Sequence, residues 1–140
     1  MGENQWTWKL AKTIPSSTDV GHEMIEQLLA ALTEAAWQGS DFFHVQMAAE
    51  EAMVNAVTHG NKKSEDKSVE IEFRVSPECV ELRFRDEGEG FSPDELPDPT
   101  DDEHLADVHG RGVFLIRRMM TEVTYNDRGN EVTMVKRKSS

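Results

Sequence analysis

A carboxylate and a carboxamide lie one helical turn apart in the segment EEAMVNAVTHGN, residues 50–61. A spacing of four places Glu51 and Asn55 on the same face of a helix, with His59 near that line. An amide oxygen is a hard, neutral ligand that suits Mg²⁺, which keeps several waters and takes its other ligands from phosphates. A carboxylate one turn earlier is placed to orient or deprotonate a hydroxyl group or a water molecule. The alternative is a buried pair whose polar atoms are satisfied by neighbouring backbone groups.

A second cluster follows the end of a predicted strand, in the segment RDEGEGF. Asp86 continues the inward parity of that strand, and a carboxylate aimed at the core is costly unless something pairs with it. Such a carboxylate can accept a hydrogen bond from an exocyclic amine, such as the amino group of adenine. Gly88 and Gly90 permit a tight reversal and a close approach of the backbone to a flat ligand. Ordinary turns after strands use the same residues, so this motif alone leaves both interpretations open.

Two glycines precede a predicted apolar helix in the segment HGRGVFLI. The free amides at the first turn of that helix, after Gly110 and Gly112, are available to an anion. Arg111 stands between the glycines, where it could reach a phosphate or a partner protein. The alternative is a flexible start of the helix, because glycines are common at such positions.

Two amphipathic helices are predicted upstream, and the second of them carries the first pair. Apolar residues repeat at helical spacing over 20–35 and again over 42–56, and Gly39 is the predicted stop between the helices. The candidate N-terminal caps are Ser16 or Ser17 for the first helix and Ser40 or Asp41 for the second.

Strands of alternating polarity account for most of the remaining chain. A first strand is predicted over 6–12, a hairpin over 67–86, and a closing hairpin around the turn NDRGN. In the central hairpin one face is apolar, while the outer faces carry opposite charges that suit an antiparallel pair. The predicted fold is a single α/β (α+β) domain over 1–140, a two-layer sandwich with a mixed, largely antiparallel sheet and helices on one face.

The composition excludes several classes of function. The chain has 140 residues, with 27 acidic and 15 basic side chains and a formal net charge of −12. Such a charge repels a phosphate backbone, so direct nucleic-acid binding is disfavoured. No segment reaches the roughly 20 apolar residues of a membrane span. The single Cys79 forms no internal disulfide, which favours a reducing compartment and predicts a cytoplasmic protein.

A segment rich in proline and acids, about 91–109, lacks both helical and strand periodicity. At this length it is either disordered or a functional flap, and we predict a flexible lid. Its acidic residues would oppose a phosphate ligand if they closed directly over it, so they are expected to stay in solvent or to contact a basic partner. These residues are Asp94, Glu95, Asp98, Asp101, Asp102 and Glu103.

The three motifs arrive in a defined order along the chain. Glu-x-x-x-Asn-Ala-x-x-His-Gly, then Asp-x-Gly-x-Gly, then Gly-x-Gly before a helix resembles the GHKL superfamily of ATP-binding domains. Gyrase, heat-shock chaperones, histidine kinases and mismatch-repair ATPases share this Bergerat-type fold. The first motif resembles the N box of the superfamily, and the other two resemble its glycine boxes.

The resemblance implies a role for each motif. Asn55 would bind Mg²⁺ that bridges the phosphates of ATP, and Glu51 would act as a base toward a serine hydroxyl of a partner protein. Asp86 would recognise adenine. Gly88 and Gly90 would shape the adenine pocket. The residues that would meet the phosphates as the lid closes are Gly110, Arg111 and Gly112.

The last glycine box matches poorly. The superfamily usually has a threonine near the start of the last strand, whereas this chain has Asn130 and Glu131 there, with Thr133 further along. No role is assigned to these residues from the sequence.

Within the superfamily the chain is most similar to the anti-sigma-factor serine kinases of the sporulation and general-stress type. This resemblance implies an Mg-ATP-dependent serine/threonine kinase that binds a sigma factor or similar client and phosphorylates an anti-sigma-factor antagonist. It also suggests a homodimer. Two alternatives stay open: a non-catalytic module whose protein binding is gated by nucleotide, and an ATP hydrolase of the same fold.

Overall fold

The protein folds as a five-stranded antiparallel sheet with helices packed on its inner face. The computed structural model describes residues 6–60, 67–87, 115–126 and 130–139. The strands are β1 (Trp8–Pro15), β2 (Ser68–Val75), β3 (Cys79–Arg85), β4 (Glu122–Tyr125) and β5 (Glu131–Arg137). The helices are α1 (Thr18–Glu34) and α2 (Gly39–Val54), followed by a π-helical segment (Asn55–Gly60) and a helical stretch over 115–119.

The strand order confirms the predicted two-layer α+β architecture. The order is β1-β2-β3-β5-β4, and every pairing in the described part of the chain is antiparallel. β1 begins two residues and ends three residues later than predicted, and Ile14 and Pro15 still pair with β2. Proline is tolerated there because β1 is an edge strand and Pro15 is its last residue.

The inner face of the sheet has the parity that the sequence predicts. Val69, Ile71 and Phe73 are at most 2% exposed, and Phe73 packs edge-to-face on Phe84 with ring centroids 5.6 Å apart. On the outer face, Arg83 pairs with Glu72 of the neighbouring strand at 3.5 Å. Because exposed ion pairs contribute at most about 1 kcal/mol each, the apolar inner face is the main source of stability.

α1 begins and ends through local backbone chemistry. The Ser17 side chain accepts a 3.3 Å hydrogen bond from the Val20 amide, which confirms Ser17 as one of the two candidate caps. The predicted stop at Gly39 is wrong, because the helix ends at Glu34 and Ala36 takes a left-handed φ of 67°. The amides of residues 36 and 37 then bond back to the carbonyls of residues 33 and 32, at 3.1 and 2.9 Å. This is a Schellman ending built on alanine.

Ala36→Gly is expected to stabilise the protein by about 1 kcal/mol, because an L-residue pays roughly that amount in the left-handed region and glycine does not. Ala36 is exposed, so no buried contact is lost. Gly39→Ala is the matched control, since Gly39 also has a positive φ of 66° and open space around its Cα. It should destabilise by a similar amount. Urea unfolding of the two variants checks both signs, and an Ala36→Gly variant less stable than the wild type would contradict this account.

The start of α2 is tied to the end of the chain. Neither Ser40 nor Asp41 caps this helix; Gln38 stands at the cap position and makes no side-chain capping bond. The Asp41 carboxylate instead accepts hydrogen bonds from the amide (2.8 Å) and hydroxyl (2.9 Å) of Ser139. Its Oδ1 also lies 3.8 Å from the Lys136 ammonium group.

The stability of this contact should depend on pH. Burial tends to raise the pKa of Asp41, but the two hydrogen bonds from Ser139 and the charge of Lys136 outweigh it and hold the pKa below 3.8. A carboxyl with a depressed folded-state pKa stabilises the protein above its unfolded pKa, and this contribution is lost as the pH falls through the folded value.

Asp41→Asn should therefore lower the free energy of unfolding by about 1.5–3 kcal/mol at pH 7, the range for hydrogen bonds to a charged group. The difference from the wild type should shrink as the pH falls below 3.8. Urea unfolding at pH 7 and at a pH below 3.8 measures the difference in stability between Asp41→Asn and the wild type. Glu34→Gln, at an exposed position, is the control for removing one charge. An equal difference at both pH values would contradict the assignment.

Candidate functional site

Glu51 lies in the last turn of α2, and Asn55 follows one turn later as the first residue after the helix. The backbone N–H of Asn55 donates to the carbonyl oxygens of Glu51 and Ala52, so the regular helix runs as far as this residue. At Asn55 the backbone widens into the π-helical segment that extends to Gly60. Short π-helical turns at the end of or within α-helices are frequent at functional sites. Asn55, the predicted metal ligand, therefore lies where the helix changes from α-helical to π-helical geometry.

The Asn55 side chain has an unsatisfied buried oxygen. Its Oδ1 is inaccessible to solvent and has no hydrogen-bond partner in the described structure. Within the described residues, no neighbouring backbone group satisfies this oxygen. An unsatisfied buried acceptor costs about 1–3 kcal/mol. A hard cation would satisfy such an oxygen, so Asn55 fits the role of a ligand to Mg²⁺.

Buried apolar residues lie next to the pair along the helix. Ala52, Met53 and Val57 are at most 3% exposed, whereas Glu51 and Asn55 are half-buried. α1 approaches this turn closely, since a Cβ added at Gly21 would lie 2.5 Å from the Met53 sulfur. Side chains fixed on a rigid, packed element keep their geometry better than side chains on a loop. The helix thus presents two polar groups on a well-defined backbone.

In the ranges that the structure describes, no group of three or more His, Cys, Asp or Glu residues could hold a metal ion. Mg²⁺ commonly binds through one or two protein oxygens and completes its shell with water and phosphate oxygens. The Asn55 oxygen fits the role of one such protein ligand.

Asp86 is buried at the end of β3, where the strand parity places it. It is 9% exposed, and its backbone amide donates to the Asn130 carbonyl at 2.9 Å. In return, Asn130 Nδ2 donates to the Asp86 carbonyl, also at 2.9 Å. Asp86 is therefore anchored to the residue just before β5.

Asp86 and Asn130 line a polar cavity of about 430 Å³. The other lining residues are Ser68, Glu70, Arg85 and Glu87, and Glu87 accepts a 2.7 Å hydrogen bond from the Ser68 hydroxyl. Glu51 and Asn55 do not line this cavity. The structure thus joins Asp86 to Asn130 at the end of β3 and places Asn55 one turn after Glu51.

The remaining predicted site residues lie outside the described ranges. They are Gly88, Gly90, Gly110, Arg111 and Gly112, together with the predicted lid over 91–109.

Two residues of the Asp86 site were missed by sequence analysis. Asn130 is 5% exposed, and its Oδ1 accepts a 2.7 Å hydrogen bond from Asn126 Nδ2. The available signal was a pair of asparagines on either side of the predicted hairpin turn, at the start of the last strand.

None of the described helices is long and apolar enough to cross a membrane.

The fold and the two motifs on α2 and β3 are those of a nucleotide-binding ATPase domain. The chain belongs to the Histidine kinase-like ATPase domain family, whose sequence profile matches residues 14–136. The predicted resemblance to the GHKL superfamily is thereby confirmed.

Its relatives include proteins named Serine-protein kinase RsbW. The chain is 30% identical over 99 residues to that of Listeria monocytogenes serovar 1/2a, a match that covers 66% of this chain and 63% of the relative. It is 29% identical over 99 residues to that of Listeria innocua, with the same coverage. The match to that of Staphylococcus epidermidis is 28% identical over 131 residues and covers 88% of this chain and 82% of the relative. The chain therefore matches less than two thirds of the length of the Listeria relatives.

Proposed function

We propose that this chain is a magnesium- and ATP-dependent protein serine/threonine kinase of the anti-sigma-factor type. The observation that carries the proposal is the orphaned Asn55 oxygen one turn beyond the Glu51 carboxylate. It occurs in a chain of the histidine kinase-like ATPase family with relatives that are named serine-protein kinases.

Asn55 is the proposed magnesium ligand. When bound, the metal ion would neutralise charge on the ATP phosphates, which is the main requirement of phosphoryl transfer. The net charge of −12 makes this screening important, because the protein surface as a whole repels a triphosphate. Asn55 contributes a neutral oxygen at the end of a buried helix and adds no further negative charge.

Glu51 is the proposed base. The oxygen of a serine or threonine hydroxyl on the partner protein attacks the γ-phosphorus, and the bond from that phosphorus to the β–γ bridging oxygen breaks. ADP leaves, and Glu51 accepts the hydroxyl proton. A carboxylate held on the rigid α2 can orient the hydroxyl group, which is the larger part of the protein's task in such reactions.

Asp86 is proposed to recognise adenine by accepting a hydrogen bond from its amino group. Its burial and its place on the cavity wall support this role. The glycines at 88 and 90 are proposed to shape the same pocket, and Gly110, Arg111 and Gly112 to contact the phosphates.

The proposed partners follow from the kinase class. They are a sigma factor or similar client, and an anti-sigma-factor antagonist that accepts the phosphate on serine or threonine. We propose a cytoplasmic homodimer in which residues 1–140 form one domain with a lid at about 91–109. The acidic lid would suit a basic surface on one of the partners.

Phosphate transfer from γ-labelled ATP to a candidate antagonist tests the proposal. The label should appear on serine or threonine of the antagonist, and only when magnesium is present. ATP binding that switches partner binding without any transfer would instead support the nucleotide-gated module. Release of free phosphate without labelled antagonist would support the hydrolase.

A further inference from the structure

We infer that Asn130 is a positioning residue that fixes Asp86 for base selection, and that Asn126 fixes the orientation of Asn130. This inference rests on the proposed function, since it takes the cavity beside Asp86 as the purine pocket. It assigns base selectivity to two residues of the closing hairpin, in addition to the carboxylate itself.

The first argument is the double attachment of Asp86. The last regular pair of the β3–β5 ladder joins Arg85 to Glu131. One residue further, the Asp86 amide donates to the Asn130 carbonyl, and the Asn130 side chain donates back to the Asp86 carbonyl, both at 2.9 Å. The Asn130 side chain thus supplies one more bond between the strands, just before the start of β5. The backbone of Asp86 is held on both its donor and its acceptor just where β3 ends.

The second argument is that both amide orientations are determined by backbone groups. Asn126 Oδ1 accepts from the backbone amides of Asn130 (3.0 Å) and Glu131 (3.2 Å), which can only donate. Asn126 Nδ2 therefore faces Asn130 Oδ1, at 2.7 Å. Asn130 Nδ2 is then left to face the Asp86 carbonyl, which can only accept. Neither side chain can flip without placing two donors or two acceptors against each other.

The third argument is location. Asp86 and Asn130 both line the cavity of about 430 Å³, a size within the usual range for small-molecule sites. A carboxylate in such a cavity can accept a hydrogen bond from the amino group of adenine. It repels the carbonyl oxygen that guanine has at the same ring position. Such discrimination depends on geometry, and displacement of a positioned group by about 1 Å can cost on the order of a hundredfold.

A merely structural role for the two asparagines makes a different prediction. If they only close the hairpin, their replacement lowers stability and weakens ATP and GTP binding by the same factor. If they position Asp86, the ratio of the two affinities changes. The ratio is therefore the informative quantity.

The experiment measures dissociation constants for Mg-ATP and Mg-GTP with the full chain. Asn130→Asp keeps the shape of the side chain but places an acceptor against the Asp86 carbonyl. Asn126→Asp keeps an acceptor for the two backbone amides and replaces the donor to Asn130 by a second acceptor. We expect the ATP-to-GTP preference to fall about tenfold in Asn130→Asp and by a smaller factor in Asn126→Asp. Asp86→Asn should give the largest loss of the preference for ATP over GTP. Thr133→Ala, on the outer face of β5, is the control and should leave this ratio unchanged.

Asn130→Ser is the second variant if the aspartate prevents folding, since it replaces the amide that reaches the Asp86 carbonyl by a shorter side chain without adding charge. An unchanged ratio in folded Asn130→Asp or Asn130→Ser overturns the inference, as does a wild-type protein that binds ATP and GTP equally. If the wild type binds ATP with a preference that these variants retain, only this inference fails. If the wild type binds no ATP at all, the proposed function fails with it.

Discussion

Replacing Glu51 by glutamine is expected to lower the rate of phosphate transfer at least a hundredfold while ATP affinity changes less than about threefold. General bases contribute typically 10²–10⁴-fold to a rate, and glutamine keeps the shape of the side chain without its proton affinity. Single-turnover transfer to an antagonist, with ATP binding measured separately, gives both numbers.

The neighbouring Glu50 offers a matched control. Glu50 is a half-buried carboxylate of the same helix. Adjacent residues of a helix point about 100° apart, so Glu50 does not share the helix face of Glu51. Glu50→Gln should leave both the rate and the affinity near wild-type values. Full transfer activity in Glu51→Gln would remove the base role, and partner switching that persists without transfer would favour the nucleotide-gated module.

Replacing Asn55 by leucine is expected to abolish most of the effect of magnesium on ATP affinity and, unusually, to stabilise the free protein. Leucine is similar in size and has no acceptor to leave unsatisfied, so we expect about 1 kcal/mol of added stability. The magnesium-dependent gain in affinity, on the order of tenfold for a typical coupling between ligands, should be lost. Calorimetric titration with ATP, with and without magnesium, and urea unfolding measure the two effects.

Gln46 provides the corresponding control, because it is another half-buried amide on α2. Gln46→Leu should leave the effect of magnesium unchanged. If Asn55→Leu weakens binding equally with and without magnesium, the metal role is wrong. If it also lowers the free energy of unfolding, the amide has a structural function that the orphaned oxygen does not reveal.

The parts of the fold that were predictable depend on short-range patterns. Alternation along β2 and β3 places Ile71, Phe73 and Phe84 inside because successive side chains of a strand point to opposite faces. The spacing of four between Glu51 and Asn55 similarly predicts their common helix face. These periodicities are local, so the sequence alone expresses them.

The parts that were not predictable depend on contacts between distant residues or on strained backbone. Asn130 meets Asp86 across 44 positions of the chain, and Ser139 meets Asp41 across 98. Asp41 is a good helix cap by residue type, but the end of the chain uses its carboxylate instead. Ala36 adopts a conformation that its residue type disfavours, because the Schellman bonds around it outweigh the local cost.

The central claim is that the end of α2 and the end of β3 bind one molecule of Mg-ATP between them. A crystal structure with magnesium and adenylyl imidodiphosphate tests this most directly. We predict Asn55 Oδ1 about 2.1 Å from the metal ion. We also predict the Asp86 carboxylate within about 3.2 Å of the adenine amino group. A nucleotide bound elsewhere, or an Asn55 oxygen that contacts only protein groups in the complex, would contradict the account.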